Sequence, residues 1–164
     1  MAEGEEKCLE AASEKFADMC KRKVGDMMSK EVVCVTDETN FLDFADMLEK
    51  YAYKGFPVVD NKDKIVGIVT WSDLLKLMLF HGCYGAKLVE CSSFIGQSTI
   101  RAIRSNNAIT LSPEDTIEEA AHLMFENNIQ TIPIVENGRI VGIVGKKDII
   151  KEILRILRQD KTHQ

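Results

Sequence analysis

Residues 65–73 read IVGIVTWSD, and residues 140–148, seventy-five positions later, read IVGIVGKKD. A chain that spells the same strand, glycine and acidic helix start twice builds the same supersecondary unit twice. That restricts it to folds made of two copies packed together. Residues 24–77 and 100–153 form two blocks of 54 residues each. VGDMMSKEVVCVTDET in the first matches IRAIRSNNAITLSPEDT in the second, and GFPVVDNKDKIVGIVTWSDLLK matches TIPIVENGRIVGIVGKKDIIK. Pro57 and Pro133 are 76 positions apart, whereas Gly67 and Gly142 are 75 apart. The one-residue difference falls in the turns DNKDK and ENGR, where a repeated fold tolerates it.

Both blocks carry the same periodicities. A short apolar run, Val32, Val33 and Val35 or Ile109 and Leu111, reads as a strand. An acidic capping segment follows, TDETN or SPEDT, with Pro113 near the helix start. Helical spacing then joins Phe41, Phe44, Ala45, Leu48 and Tyr51 in one block, and Ile117, Ala120, Ala121 and Met124 in the other. Two strands come next, joined in the second block by Asn137-Gly138, a strong hairpin signal. A closing helix ends each block. In the second, Ile149, Ile150, Ile153, Leu154 and Leu157 form an apolar stripe, and Ile156 spreads it beyond one face. The unit is β-α-β-β-α, twice, an α/β (α+β) fold. A lone three-stranded unit is too small to be stable, so the expectation is two units about a pseudo-twofold axis sharing one core.

Composition narrows the function classes. The chain has 164 residues and a formal net charge of −5, which disfavours a nucleic-acid or membrane-surface binder. No apolar run approaches the ~20 residues of a membrane span. The acidic start MAEGEEKCLEAASEK does not read as a secretory signal, so a cytoplasmic protein is expected. The five cysteines, Cys8, Cys20, Cys34, Cys83 and Cys91, are odd in number and form no C-x-x-C pair. They imply neither a disulfide framework nor a zinc site, and His81 with Cys83 makes only a weak metal pair. No nucleophile–base pair, carboxylate dyad or glycine-rich phosphate loop is evident, so no catalytic residue and no enzyme activity are expected.

The order of elements, with PVVD…IVGIVTWSD in one copy and PIVE…RIVGIVGKKD in the other, resembles a tandem pair of cystathionine β-synthase (CBS) domains, a Bateman module. The resemblance covers about residues 24–153. It implies a regulatory sensor rather than a catalyst, with AMP, ADP, ATP or S-adenosylmethionine bound in clefts between the repeats as a regulatory ligand and no obligatory cofactor. By this resemblance Asp73 and its counterpart Asp148 take the ribose, and Thr70 and Ser72 take the phosphate side. A helix N-terminus offers free N–H groups to phosphate, and an acidic side chain can accept both ribose hydroxyls. The adenine wall would be Val33, Cys34, Val35, Phe56, Pro57 and Val58 in the first copy, and Ile109, Thr110, Ile132, Pro133 and Ile134 in the second. The second copy departs from the first: Gly145 stands for Thr70 and Lys147 for Ser72, beside Lys146. Two hydroxyls give way to two ammonium groups, so two inequivalent sites are expected. The pattern T-x-x-D at a helix start is also a capping signature, and this reading stays open beside the ribose one. Trp71 and Tyr53 are aromatic candidates for stacking on a base, or for core or dimer contacts.

The ends complete the division. Residues 1–23 read as an amphipathic helix with Leu9, Ala12, Phe16, Met19 and Cys20 on one face. Residues 78–99 form an inter-repeat linker, long for a connector and expected to cover a ligand cleft or a dimer seam. Residues 154–164 finish the closing helix and a tail. The surplus apolar surface of the closing helix implies a homodimer. An effector protein of unknown identity would read the signal.

Overall fold

The computed structural model describes residues 13–51, 53–80 and 97–161. Residues 13–20 are helical (α1), and a single 3-10 turn covers Val24–Asp26. There follow β1 (Val35–Thr36), α2 (Phe41–Lys50), β2 (Gly55–Val59), β3 (Ile65–Thr70) and α3 (Trp71–Phe80). After the linker come α4 (Ile100–Ile103), α5 (Ile117–Glu126), β4 (Thr131–Glu136), β5 (Arg139–Gly145) and α6 (Lys146–Lys161). This mixed α+β order is the doubled unit that the sequence predicts.

Local chemistry sets the boundaries. Asn40 caps α2 by accepting the Asp43 amide at 2.8 Å. Thr116 and Glu119 form a full capping box on α5. Asn137 and Gly138 adopt φ of 51° and 78°, the left-handed pair that a two-residue hairpin turn requires. The first strand of each repeat is shorter than expected. Only Val35 and Thr36 pair with β2, in parallel, while β2 and β3 run antiparallel. In the second repeat Leu111 alone forms the equivalent parallel bridge, to Ile134. Val33 still packs on the core without a ladder partner.

The compact units are not consecutive in sequence. Among the described residues, the first unit combines 31–80, 97–109 and 137–140; the second combines 13–30, 110–136 and 141–161. Each unit closes on the segment that leads into the other repeat. In the first unit the Phe41 amide donates to Ser98 O (3.0 Å), Ile100 to Thr39 O (2.9 Å) and Arg101 to Asp37 O (3.1 Å), and Ser105 and Ile68 exchange both backbone bonds. In the second unit Ile117 donates to Arg22 O (2.9 Å), Val24 to Asp115 O (2.8 Å) and Gly25 to Pro113 O (3.0 Å), and Ser29 and Ile143 exchange theirs. This crossing explains the repeated glycine. A Cβ on Gly67 would lie 2.2 Å from Ser105 O, and one on Gly142 would lie 2.3 Å from Met28 Sδ.

The buried residues form two clusters, a correction to the single shared core expected above. One is Val35, Phe44, Leu48, Phe56, Val58, Val69, Leu74 and Ile100; the other is built on Val24, Ile117, Ala120, Met124, Ile132, Ile134, Val144 and Ile149. Each sheet is covered by its own helices and by the exchanged segment, so each unit closes its own core. Met19 of α1 is buried in the second cluster, but Phe16 is exposed. Ala121 is also exposed, and Leu123 packs against the cluster instead. Leu9, Ala12, His81, Cys83 and most of the 78–99 linker lie outside the described residues, as do the side chains of Ile156 and Leu157. Among the described residues no helix is long and apolar enough to cross a membrane.

Candidate functional site

The β3–α3 junction builds the first site from its own backbone. β3 ends at Thr70 and the helix starts at Trp71, which places Asp73 in the first turn. Asp73 is only 9% exposed. Its Oδ2 accepts the Thr70 amide at 2.9 Å and the Thr70 hydroxyl at 2.7 Å. Its Oδ1 faces Lys76 Nζ at 3.2 Å. One carboxylate oxygen therefore closes the helix cap, and the other remains beside an exposed ammonium. Ser72 is exposed in the same turn. Sequence reasoning missed Lys76; its signal is the i, i+3 spacing from an acid that needs a counter-charge.

Strand alternation divides the predicted apolar wall into two faces. Phe56 and Val58 pair with Val69 and Gly67 and face the core with Val35, as does Val33. Phe56 is sealed there among Phe44, Tyr51 and Tyr53, with centroids 5.6–6.2 Å away. Pro57 pairs with Ile68 and Gly55 with Thr70, so these four share the opposite face. Cys34, one residue before β1, alternates onto that face too. Ile68 thus shares the face of Pro57 and Thr70, a neighbour that sequence reading did not name and that is legible only from the register. Burial, with the Asp63 charge second, pushes the Cys34 thiol up and favours its neutral form. Tyr53 stacks on Tyr51 at 5.6 Å and 3°, which commits its ring to the protein, whereas Trp71 is exposed.

The second junction repeats the geometry with different chemistry. Asp148 Oδ2 accepts the Gly145 amide at 2.9 Å, and the Lys146 amide donates to Gln130 O at 3.0 Å. Gly145 supplies no hydroxyl, so this carboxylate holds one bond where Asp73 holds two from Thr70. Lys146 is half-buried and Lys147 exposed; among the described residues neither makes an ion pair. Ile132 and Ile134 are buried in the core of this unit, and the intervening Pro133 accepts the Leu111 amide at 3.2 Å. Ile109 and Thr110 are half-buried outside any strand.

The two repeats thus share one strand-to-helix turn, each with a carboxylate in the first turn of the closing helix that accepts the amide three residues before it. The family model for the CBS domain matches residues 24–79 and 100–155, and the chain belongs to that family. Among curated relatives it is 28% identical to an inosine-5′-monophosphate dehydrogenase of Methanocaldococcus jannaschii over 131 residues, 79% of this chain and 23% of that enzyme. The chain thus spans about a quarter of that relative's length. The CBS domain of a membrane protein from Sphaerobacter thermophilus superposes with a TM-score of 0.70 at 23% identity, covering 90% of this chain and 96% of that one. CBSX2, solved in complex with AMP, superposes at 0.69 and 24% identity, covering 83% and 98%. The CBS domain pair of protein MJ0100, solved with 5′-methylthioadenosine and S-adenosyl-L-methionine, superposes at 0.64 and 28% identity, covering 80% and 98%.

Proposed function

We propose that this chain is a regulatory sensor that binds an adenosine-containing ligand, an AMP-, ADP- or ATP-type nucleotide or an S-adenosylmethionine-type molecule, and signals to a partner protein by a change of conformation. The observation that carries the reading is Asp73. It is a nine-tenths buried carboxylate whose Oδ2 is committed to Thr70 while Oδ1, among the described residues, meets an exposed lysine. Ribose hydroxyls displace Lys76 from Oδ1, Ser72 turns toward the phosphate or sulfonium side while Thr70 keeps Oδ2 in place, and the base lies against the half-buried Cys34 and Ile68, on the face that Pro57 backs. The adenosyl ligands seen in CBSX2 and in the MJ0100 pair support the ligand class. At the second junction Asp148 takes the ribose role, and Lys146 and Lys147 favour a more highly phosphorylated ligand.

Titration calorimetry with AMP, ATP and S-adenosylmethionine tests the reading. Binding of at least one is expected. Asp73→Asn should weaken it ten- to a hundredfold, because an amide turns an NH₂ toward donors and loses a charge-assisted bond. Lys146→Ala with Lys147→Ala should weaken ATP more than AMP, and less so as salt rises. A second reading is a ligand-free dimerisation or scaffold module. It is favoured by the bonds that both aspartates already make to the cap amides of Thr70 and Gly145. On that reading no adenosyl ligand binds, and Asp73→Asn only lowers the melting temperature.

A further inference from the structure

The Arg104 side chain makes four hydrogen bonds. Its guanidinium is mostly buried, 13% exposed, and forks onto both carboxylate oxygens of Asp37. One terminal nitrogen also donates to Val66 O at 2.7 Å and to Asn106 Oδ1 at 2.6 Å. Each partner has a structural meaning. Asp37 directly follows β1 (Val35–Thr36), and Cys34, just before that strand, belongs to the proposed wall of the first site. Val66 is the extra residue of a bulge: Val58 pairs with Gly67 and Val59 with Ile65, so Val66 has no ladder partner. Its carbonyl accepts from the guanidinium instead of from a ladder partner across that bulge. From Val66 the same strand runs four residues on to Thr70. Arg104 itself sits on the exchanged segment, held by the Ile100–Thr39, Arg101–Asp37 and Ser105–Ile68 backbone bonds. The equivalent position 76 residues earlier is Met28, and Pro113 stands where Asp37 does. The second unit makes the same crossing with apolar atoms.

We infer that Arg104 is a positioning residue that sets the spacing of the two strands framing the first site and links the occupancy of that site to residues 98–106. The inference rests on the sensor reading above. A bidentate guanidinium fixes distance and direction at once, which neither a lysine nor a methionine does. Ligand seated between the wall and the Thr70–Asp73 turn bears on β1 and β3 together. Arg104 is the one described side chain that bonds to the end of β1, to the bulge of β3 and to the exchanged segment. The second unit, clamped by Met28, lacks this connection, so the two sites differ in what they report as well as in what they bind.

The full-length protein tests this with AMP, and with S-adenosylmethionine as second probe. Asp148→Asn isolates the first site and Asp73→Asn the second. Arg104→Met, which copies the Met28 arrangement, should lower first-site affinity at least tenfold and leave the second site within twofold. Hydrogen exchange at the Ile100, Arg101 and Ser105 amides should slow on ligand binding in the wild type and not in Arg104→Met. Arg104→Lys keeps the charge without the fork and should fall between. The exchanged pair Asp37→Arg with Arg104→Asp restores the ion pair but sets a carboxylate against the Val66 carbonyl, so first-site affinity should stay at least tenfold down; recovery to within twofold of wild type would reduce the link to the ion pair alone and overturn the role of the β3 bulge. First-site affinity within twofold of wild type in Arg104→Met, or equal losses at both sites, overturns the inference and leaves the sensor reading intact. Absence of binding of either probe to wild type sinks the sensor reading and the coupling with it.

Discussion

At the residue scale the repeated glycine separates two kinds of close approach. Gly67 faces the Ser105 carbonyl oxygen, which is fixed by the backbone bonds that Ser105 and Ile68 exchange at 2.9 and 3.2 Å. Gly142 faces the sulfur of Met28, the adaptable end of a three-torsion side chain. An added methyl must move backbone in the first case and, in the second, swing a flexible side chain whose Sδ and Cγ would lie 2.3 and 2.6 Å away. Gly67→Ala is expected to cost about 3 kcal/mol, and Gly142→Ala about 1 kcal/mol. For a chain of this size that is a melting-temperature loss of roughly 6–12 °C against roughly 2–4 °C. Calorimetry on the two variants decides; equal losses would mean that the crossing backbone is not the constraint. The same scale marks the limit of sequence reading. The pairing of glycine and aspartate across the repeat was plain, but the reason for the glycine was not, because it lies in a contact between residues 38 positions apart. Asp73 was read correctly as a group at a helix start. Its bonds to Thr70 and Lys76 show why two readings competed: a helix cap and a ribose acceptor ask for the same residue at the same position.

At the element scale, periodicity gave α2, α5, the hairpin turn and the closing helices nearly as folded. It overstated the first strands, where apolar residues pack without pairing, and it could not reveal the exchange of segments. Exchange leaves no period in the sequence, since residues 24–29 and 100–105 each look like the start of their own repeat. Their bonds lie elsewhere: Val24 to Asp115 and Gly25 to Pro113 in one direction, Ile100 to Thr39 and Arg101 to Asp37 in the other. A fragment cut along the sequence repeat therefore loses a wall of its own core. Residues 24–79 alone lack Ile100, which is fully buried against Phe44, Phe56 and Val69. Residues 31–109 retain it, together with the Arg104–Asp37 fork. The shorter fragment should show no cooperative thermal transition by circular dichroism, and the longer one should. The fork adds an acid signature. Arg104 first of all, through its hydrogen bond, holds the Asp37 carboxyl below the usual carboxylate range. A depressed folded-state value stabilises the protein above the unfolded-state value near 3.8 and loses that contribution as pH falls through the folded one. Cooperative melting of the 31–80 half alone, without residues 98–109, would refute the exchange as a requirement for folding.

At the scale of the whole molecule the question is what covers its apolar surface. Eight large hydrophobic side chains are exposed among the described residues, and seven lie on four helices: Leu42 on α2, Trp71, Leu75 and Leu79 on α3, Phe125 on α5, and Ile150 and Leu154 on α6. Leu75 and Leu79 return as Ile150 and Leu154 at the 75-residue offset of the repeat, so both units present the same stripe on their closing helices. Scattered exposed apolar residues need no explanation, but a stripe duplicated at one register is a patch with a use. Two of the four helices also expose opposite charges, Glu118, Glu119 and Glu126 on α5 and Lys147, Lys151 and Arg155 on α6. A second copy of this chain offers both the matching stripe and the complementary charges, which is why we propose a homodimer. The wild type should sediment as a dimer at tens of micromolar, roughly where a weak dimer persists. Leu75→Glu with Ile150→Glu should sediment as a monomer with unchanged circular dichroism. Both side chains are more than half exposed in the single chain, and surface substitutions of this kind shift stability by only about 0.5 kcal/mol. A wild type that runs as a monomer, or a double variant that stays dimeric, would remove these helices as the interface. Adenosyl ligand binding that survives in a monomeric double variant would in turn place the sensing in the single chain and leave the dimer to transmit the signal.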